Sequence, residues 1–206
     1  MFDVVKSFSV CRMVVRLMHV KKIPIRELVM TSSLATVSVL LQLIHIGYQS
    51  PQFGMWIDFV ACSWIIAFFL FGIRGALLTS SIGAIIITFF SPETWLGASM
   101  KWTLSLPNIL CLYSWAKITH HKTSIYANTK LLCFPVLCAL ILRGCFAIPL
   151  NYYYAIPIWL GIPSQQAIAV IPWYIIAVFN ALQSLVDVIL AWVITFHFKI
   201  INFGNT

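Results

Sequence analysis

Charge is scarce in this sequence. Only 9% of the 206 residues are charged and only five are acidic, whereas 61% are hydrophobic and the mean hydropathy is +0.96. These values exclude a separate water-soluble domain. They are typical of a polytopic helical membrane protein, because a hydrocarbon core about 30 Å thick needs roughly 20 apolar residues for each helical crossing.

Sequence motifs for nucleotide, acyl-transfer and metal chemistry are also missing. The sequence contains no Walker loop, dinucleotide fingerprint or nucleophile elbow, so the chain cannot hydrolyse ATP by itself. It contains no Cys-x-x-Cys pair, and none of its six cysteines falls in a predicted outer segment. We therefore expect small buried cysteines without disulfides. No metal site is expected, since His120 and His121 lack a further ligand at suitable spacing.

Six segments are long and apolar enough to cross a membrane. They cover residues 27–46, 57–73, 75–91, 103–119, 131–150 and 169–197. The loops between them are short, so the predicted fold is all-α and integral to the membrane. We expect a compact six-transmembrane-helix bundle over residues 26–199, with outer loops that cap a ligand pocket. Residues 1–25 are predicted to form a basic amphipathic arm at the cytoplasmic surface, and residues 200–206 a cytoplasmic tail.

Lysine and arginine are unevenly distributed among the segments that flank these spans. With the N-terminus in the cytoplasm, eleven of the 13 lie on the cytoplasmic side, Lys101 lies outside and Arg143 falls within a span. Because positive residues accumulate in cytoplasmic loops, both termini are predicted to be cytoplasmic in a multi-pass plasma-membrane protein. This distribution and attraction to anionic lipid explain the net charge of +8 without nucleic acid.

The last predicted span carries three polar side chains on one helix face. Asn180, Gln183 and Asp187 follow one another at steps of three and four. Polar residues within a span usually face the protein interior or a cavity. Arg143 lies at a similar depth to Asp187, so the two can form either a structural ion pair or a proton relay.

The predicted outer segments combine aromatic residues with amides. They cover residues 47–56, 92–102 and 151–168. One interpretation is a belt of interfacial aromatics. The other is a ligand site capped by these segments, because aromatics with a few amides suit a flat, uncharged molecule with polar edges.

Small residues form faces on the first and third predicted spans. Residues 31–38 are mostly Ser, Thr and Ala, and Gly75, Thr79 and Gly83 recur at steps of four. Such faces allow two helices to approach closely. Packing within the bundle and docking onto a partner membrane protein are both consistent with this pattern.

Over residues 27–197 the chain resembles the substrate-binding S components of energy-coupling-factor (ECF) vitamin transporters, and the riboflavin-specific branch most closely. The similar stretches are Pro51-Gln52-Phe53 through Trp56-Ile57-Asp58, the turn Gly72-Ile73-Arg74-Gly75, Leu150-Asn151-Tyr152 with Pro157, and Pro172 through Asn180-Ala181-Leu182-Gln183. Two positions depart from the family pattern: Trp56 stands where a loop lysine is usual, and Gln183 replaces a lysine of the last span.

The resemblance implies a set of site residues and partners. The ligand-binding residues would be Trp56, Asp58, Asn151, Asn180 and Gln183, and the face that docks with a partner would include Thr31, Ala35 and Val39. The ligand would be a vitamin-like small molecule, with riboflavin as transported ligand and no cofactor. The partners would be a transmembrane coupling subunit and two cytoplasmic ATPase subunits.

The predicted function is therefore a membrane substrate-binding subunit for uptake of riboflavin or a related flavin, and not an enzyme. Two alternatives remain open. One is a membrane structural or assembly protein without a small-molecule ligand. The other is a proton-coupled secondary transporter that uses Asp187 and Arg143.

Overall fold

The computed structural model describes residues 24–51, 54–90 and 95–200. The predicted N-terminal arm and C-terminal tail lie almost wholly outside these ranges. The helices are α1 (Ile25–Leu43), α2 (Val60–Phe90), α3 (Trp95–Ile118), α4 (Thr129–Leu150), α5 (Ile156–Leu160), α6 (Ser164–Val170) and α7 (Trp173–Trp192). An antiparallel hairpin of β1 (Gly47–Gln49) and β2 (Trp56–Asp58) follows α1. Shorter turns are the 3₁₀ turn Thr123–Ala127 and the π turns Asn151–Ala155 and Val193–His197.

The described helices include three that are long and apolar enough to cross a membrane. These cover Val60–Phe90, Thr129–Leu160 and Trp173–His197. The remaining long helices, α1 and α3, coincide with the first and fourth predicted spans. The expected helical bundle is thus present, with the β-hairpin as a departure from the all-α expectation, while the count of six crossings stays a prediction.

Helix α2 reverses direction at Gly72, whose backbone angles (φ 73°, ψ −161°) are not helical. This conformation is open essentially to glycine alone. A Cβ atom placed on Gly83 would lie 3.1 Å from Trp64 Nε1. In a straight helix, residues 64 and 83 would instead be about 28 Å apart. Segments 60–71 and 73–90 therefore fold back on each other. The second and third predicted spans are two arms of one helical hairpin.

The small-residue face of α1 packs inside the bundle against segment 73–90. Thr31 and Ala35 are completely buried, and Val39 is 8% exposed. Thr79 Oγ1 donates to the Thr31 carbonyl at 3.3 Å, which shows how closely the two helices approach. The docking interpretation of Thr31, Ala35 and Val39 is therefore corrected: the small faces of two neighbouring helices complement each other and leave no room for a partner.

The end of the bundle opposite the β-hairpin is closed by the 3₁₀ turn between α3 and α4. Tyr126 is fully buried there, and its hydroxyl donates to the Leu112 carbonyl. Burial raises the pKa of Tyr126 to about 12, so the hydroxyl stays protonated and remains a donor. Trp192 Nε1 donates to the Tyr126 carbonyl at 2.7 Å, and Thr123 Oγ1 donates to the Phe69 carbonyl at 2.9 Å. The turn thus fastens α2, α3 and α7 to one another.

The cysteines differ from expectation. Cys62 is buried, but Cys133 and Cys145 on α4 are exposed. The apolar outer surface of the bundle accommodates a thiol as readily as its interior does, because free cysteine behaves as a small hydrophobic side chain.

Candidate functional site

A cavity of about 690 Å³ lies at the hairpin end of the bundle. This volume falls within the range of small-molecule sites, about 300–1,000 Å³. The wall is formed by the β-hairpin, α3, α4, the π turn that follows α4, α5 and α7. All five residues expected to bind a ligand line it: Trp56, Asp58, Asn151, Asn180 and Gln183. The fold thus brings together positions that are far apart in the sequence.

Gln183 fastens the β-hairpin to helix α7. Its Oε1 accepts the backbone N–H of Asp58 at 2.9 Å, and its Nε2 donates to the Asp58 carbonyl at 2.8 Å. Nε2 also donates to Asp187 Oδ1 at 2.9 Å. The amide of Gln183 is therefore engaged within the protein, and its contribution to the cavity is to hold the hairpin in place.

Asp58 connects this hairpin to two helices through its carboxylate. Oδ1 accepts the backbone N–H of Val60 at 3.0 Å, which caps the start of α2. Oδ2 lies 2.6 Å from Lys101 Nζ on α3. Lys101 also donates to Gln42 Oε1 on α1. One ion pair thus joins the hairpin, α1, α2 and α3 at the cavity wall.

Lys101 was missed as a site residue because residues 92–102 were predicted to form an outer loop. Helix α3 instead begins at Trp95. Gly97, Met100, Lys101, Leu104 and Ser105 all line the cavity, and their steps of three and four identify one helix face. Two sequence features could have identified Lys101 as a site residue: this periodicity, and its being the only lysine in the predicted outer segments.

Arg143 on α4 is 4% exposed and contacts three side chains of α7. Its Nε donates to Asn180 Oδ1 at 3.2 Å, and its Nη1 donates to Ser184 Oγ at 3.3 Å. Nη1 lies 3.6 Å from Asp187 Oδ2. The two residues expected to form an ion pair are therefore adjacent. Arg143 also lines the cavity, which sequence reasoning did not anticipate.

The charges around the cavity balance. Lys101 and Asp58 form one ion pair, and Arg143 and Asp187 form the other. Buried charges are tolerated only when they are paired and hydrogen-bonded. Each of these charges has a counter-ion, and Asp187 Oδ1 accepts from Gln183, whereas Asp187 Oδ2 has no hydrogen-bond partner among the described residues. The site therefore presents hydrogen-bonding groups without a net charge.

The cavity wall includes the aromatic side chains of His45, Trp56 and Trp159. The rings of His45 and Trp56 lie 5.3 Å apart between centroids. A carbon added at Gly54, which has a φ of +63°, would lie 3.1 Å from Trp159 Cη2. Gly54, between β1 and β2, therefore contacts Trp159 of α5 at the cavity wall.

Residues 151–168, predicted as an outer loop, are largely helical. Asn151 Nδ2 donates to the Ala147 carbonyl at 2.7 Å, which continues α4 into the π turn. Tyr152 donates its hydroxyl to the Ile171 carbonyl at 2.7 Å. These two bonds satisfy polar groups of an uncharged segment and fix one side of the cavity.

The similarity of this chain to known proteins lies in its fold. The chain matches no protein-family model and no curated protein. It is similar to a solved structure described as "Structure and mechanism of the S component of a bacterial ECF transporter". The TM-score is 0.64 at 18% identity, over 87% of this chain and 98% of that chain. At this identity the match shows a shared fold.

Proposed function

We propose that this protein is the substrate-binding membrane subunit of an ECF-type transporter and that it takes up riboflavin or a related flavin. The observation that carries the proposal is the cavity at the hairpin end, in a fold shared with an S component. Its five expected ligand-binding residues would act in two ways. Asp58 and Gln183 would position the hairpin and Asn180 would orient Arg143, while Trp56 and Asn151 would face the ligand.

The chemistry of the cavity supports an uncharged planar ligand. Apolar side chains such as Met55, Leu104 and Phe179 alternate with a few polar ones along the wall. The balanced ion pairs leave no spare charge for an ionised ligand. A flavin ring system suits this environment, because its flat faces would stack on aromatics and its polar edge would meet hydrogen-bonding groups.

Transport would require partners. The chain has no nucleotide-binding motif, so the energy would come from a transmembrane coupling subunit with two cytoplasmic ATPase subunits. Because Thr31, Ala35 and Val39 are buried, the coupling subunit would have to contact a different surface. The plasma membrane, with both termini in the cytoplasm, is the proposed location.

The test is co-purification of flavin with the protein. Protein purified in mild detergent from riboflavin-fed cells is expected to carry flavin absorbance and fluorescence that heat denaturation releases. Gln183→Leu should carry much less, since the hairpin loses its attachment to α7. Gln165→Leu, an exposed glutamine in α6, is the matched control and should carry as much as the unaltered protein. Absence of flavin, together with no change in added riboflavin fluorescence, would remove the flavin from the proposal.

A further inference from the structure

Ser105 is exceptional among the buried serines of this bundle. Ser38, Ser63 and Ser80 each donate their hydroxyl to the backbone carbonyl three residues earlier, at 2.7, 2.8 and 3.2 Å. Ser105 is 1% exposed, and in the described part of the protein its Oγ has no hydrogen-bond partner. A buried polar group without a partner costs free energy. Ser105 lines the cavity, so a ligand can supply the missing partner.

Arg143 lines the same cavity and has donors to spare. Its hydrogen bonds to Asn180 and Ser184 and its ion pair with Asp187 involve only Nε and Nη1. A guanidinium carries five N–H donors in a planar fork, so Nη2 is left for a further acceptor. Ser105 on α3 and Arg143 on α4 thus offer two donors to a molecule bound in the cavity.

The charge balance decides which acceptor fits. The charge of Arg143 is already opposed by Asp187, and Asp58 is a second carboxylate in the same site. An ionised carboxylate placed here would lose its hydration and find, among the described residues of the cavity wall, no unpaired cation to compensate for its charge. A carbonyl oxygen or a ring nitrogen accepts the same hydrogen bonds without that penalty.

We infer that Ser105 and Arg143 form a donor subsite that binds an uncharged hydrogen-bond acceptor of the ligand and selects against carboxylate-bearing molecules. This inference rests on the proposed function, that the cavity holds a transported small molecule. It adds the group on the ligand that is recognised, a carbonyl or ring-nitrogen acceptor, and it names Ser105 as a specificity-determining residue.

The experiment compares Ser105→Ala with Thr195→Val by calorimetric titration with riboflavin. Thr195 Oγ1 is likewise buried without a partner, but it lies in the π turn after α7 and does not line the cavity. Ser105→Ala should weaken riboflavin binding by about 5- to 150-fold, while the unliganded protein keeps its melting temperature, because no hydrogen bond within the protein is lost. Thr195→Val should bind as tightly as the unaltered protein.

A second measurement on the unaltered protein tests the charge rule without any variant. Titration with biotin and with pantothenate, both carboxylates, should give no binding at concentrations that saturate riboflavin. Binding of either carboxylate at those concentrations would overturn the inference. Equal riboflavin affinity in Ser105→Ala and the unaltered protein would overturn the subsite and leave the proposed function standing. Failure of the unaltered protein to bind any of the three would defeat the proposed function and this inference together.

Discussion

At the scale of single residues, the sequence located the polar side chains of the last span and of the hairpin. The steps of three and four between Asn180, Gln183 and Asp187 were enough to place them on one face. What they contact was not predictable, because contacts depend on helix packing. Gln183 bonds the backbone of Asp58, and Asn180 accepts from Arg143. Lys101 escaped notice because the start of α3 was misplaced, and Ser105 because the side of α3 that faces the cavity depends on helix packing.

The pair Arg143–Asp187 makes a prediction about stability. Replacing Asp187 with Asn should lower the free energy of unfolding by about 3–5 kcal/mol, because Arg143 is left as a buried charge without its counter-ion. Combining Asp187→Leu with Arg143→Met should restore part of that loss, since neither charge remains. Thermal unfolding in detergent measures both. A double variant whose loss equals the sum of its two single variants would show that the residues do not interact.

At the scale of elements, the reversal in α2 was signalled by the glycines at 72 and 75, and the turn is where they predicted it. The hairpin was not foreseen as strands, because segment 47–56 shows only turn formers and aromatics. The start of α3 at Trp95 was missed for a related reason: Gly97 and aromatic residues resemble a loop when their neighbours in space are unknown.

Gly72 tests the reversal directly. A side chain at φ 73° is strained, although nothing lies within 4 Å of the added carbon. Gly72→Ala should therefore destabilise the protein by about 1–3 kcal/mol through backbone strain alone. Gly144 in α4 is the matched control, since its surroundings are equally open and its backbone is helical. Gly144→Ala should be neutral or slightly stabilising. Equal effects at the two glycines would contradict the assigned turn.

The contact between α1 and α2 makes a second prediction at this scale. Ala35→Trp would force a large side chain into a fully buried position, so unfolding should occur at lower temperature and riboflavin binding and uptake should fall together. Val37, which is 44% exposed on the same helix, is the control, and Val37→Trp should bind normally. If Ala35→Trp kept normal stability and binding and lost only uptake, the face would be a docking surface after all.

At the scale of the whole molecule, composition alone predicted a helical membrane protein, and the described residues include three helices long and apolar enough to cross a membrane. The positions of the long helices followed from hydropathy, because burial in lipid requires apolar residues at known length. The helical structure of residues 151–168 beside the cavity did not follow from hydropathy. That arrangement depends on contacts such as Tyr152 with Ile171, which join segments with no pattern in common.

Orientation in the membrane is a prediction that belongs to the complete molecule. In a variant without native cysteines, Ser124→Cys should react with a membrane-impermeant thiol reagent only after the cells are opened. Gln165→Cys should react in intact cells. Both positions are exposed, at opposite ends of the bundle, and the charge asymmetry assigns them to opposite sides. Labelling of position 124 in intact cells would show that the protein has the opposite orientation in the membrane.

The most direct test of the central claim is calorimetric titration of the purified protein with riboflavin. The account predicts saturable binding of one riboflavin per chain. It also predicts that Asn180→Ala weakens this binding by about 5- to 150-fold, because Arg143 loses the acceptor that orients it in the cavity wall. Absence of heat with the unaltered protein would contradict riboflavin as the ligand. Unchanged affinity in Asn180→Ala would contradict the cavity as its site.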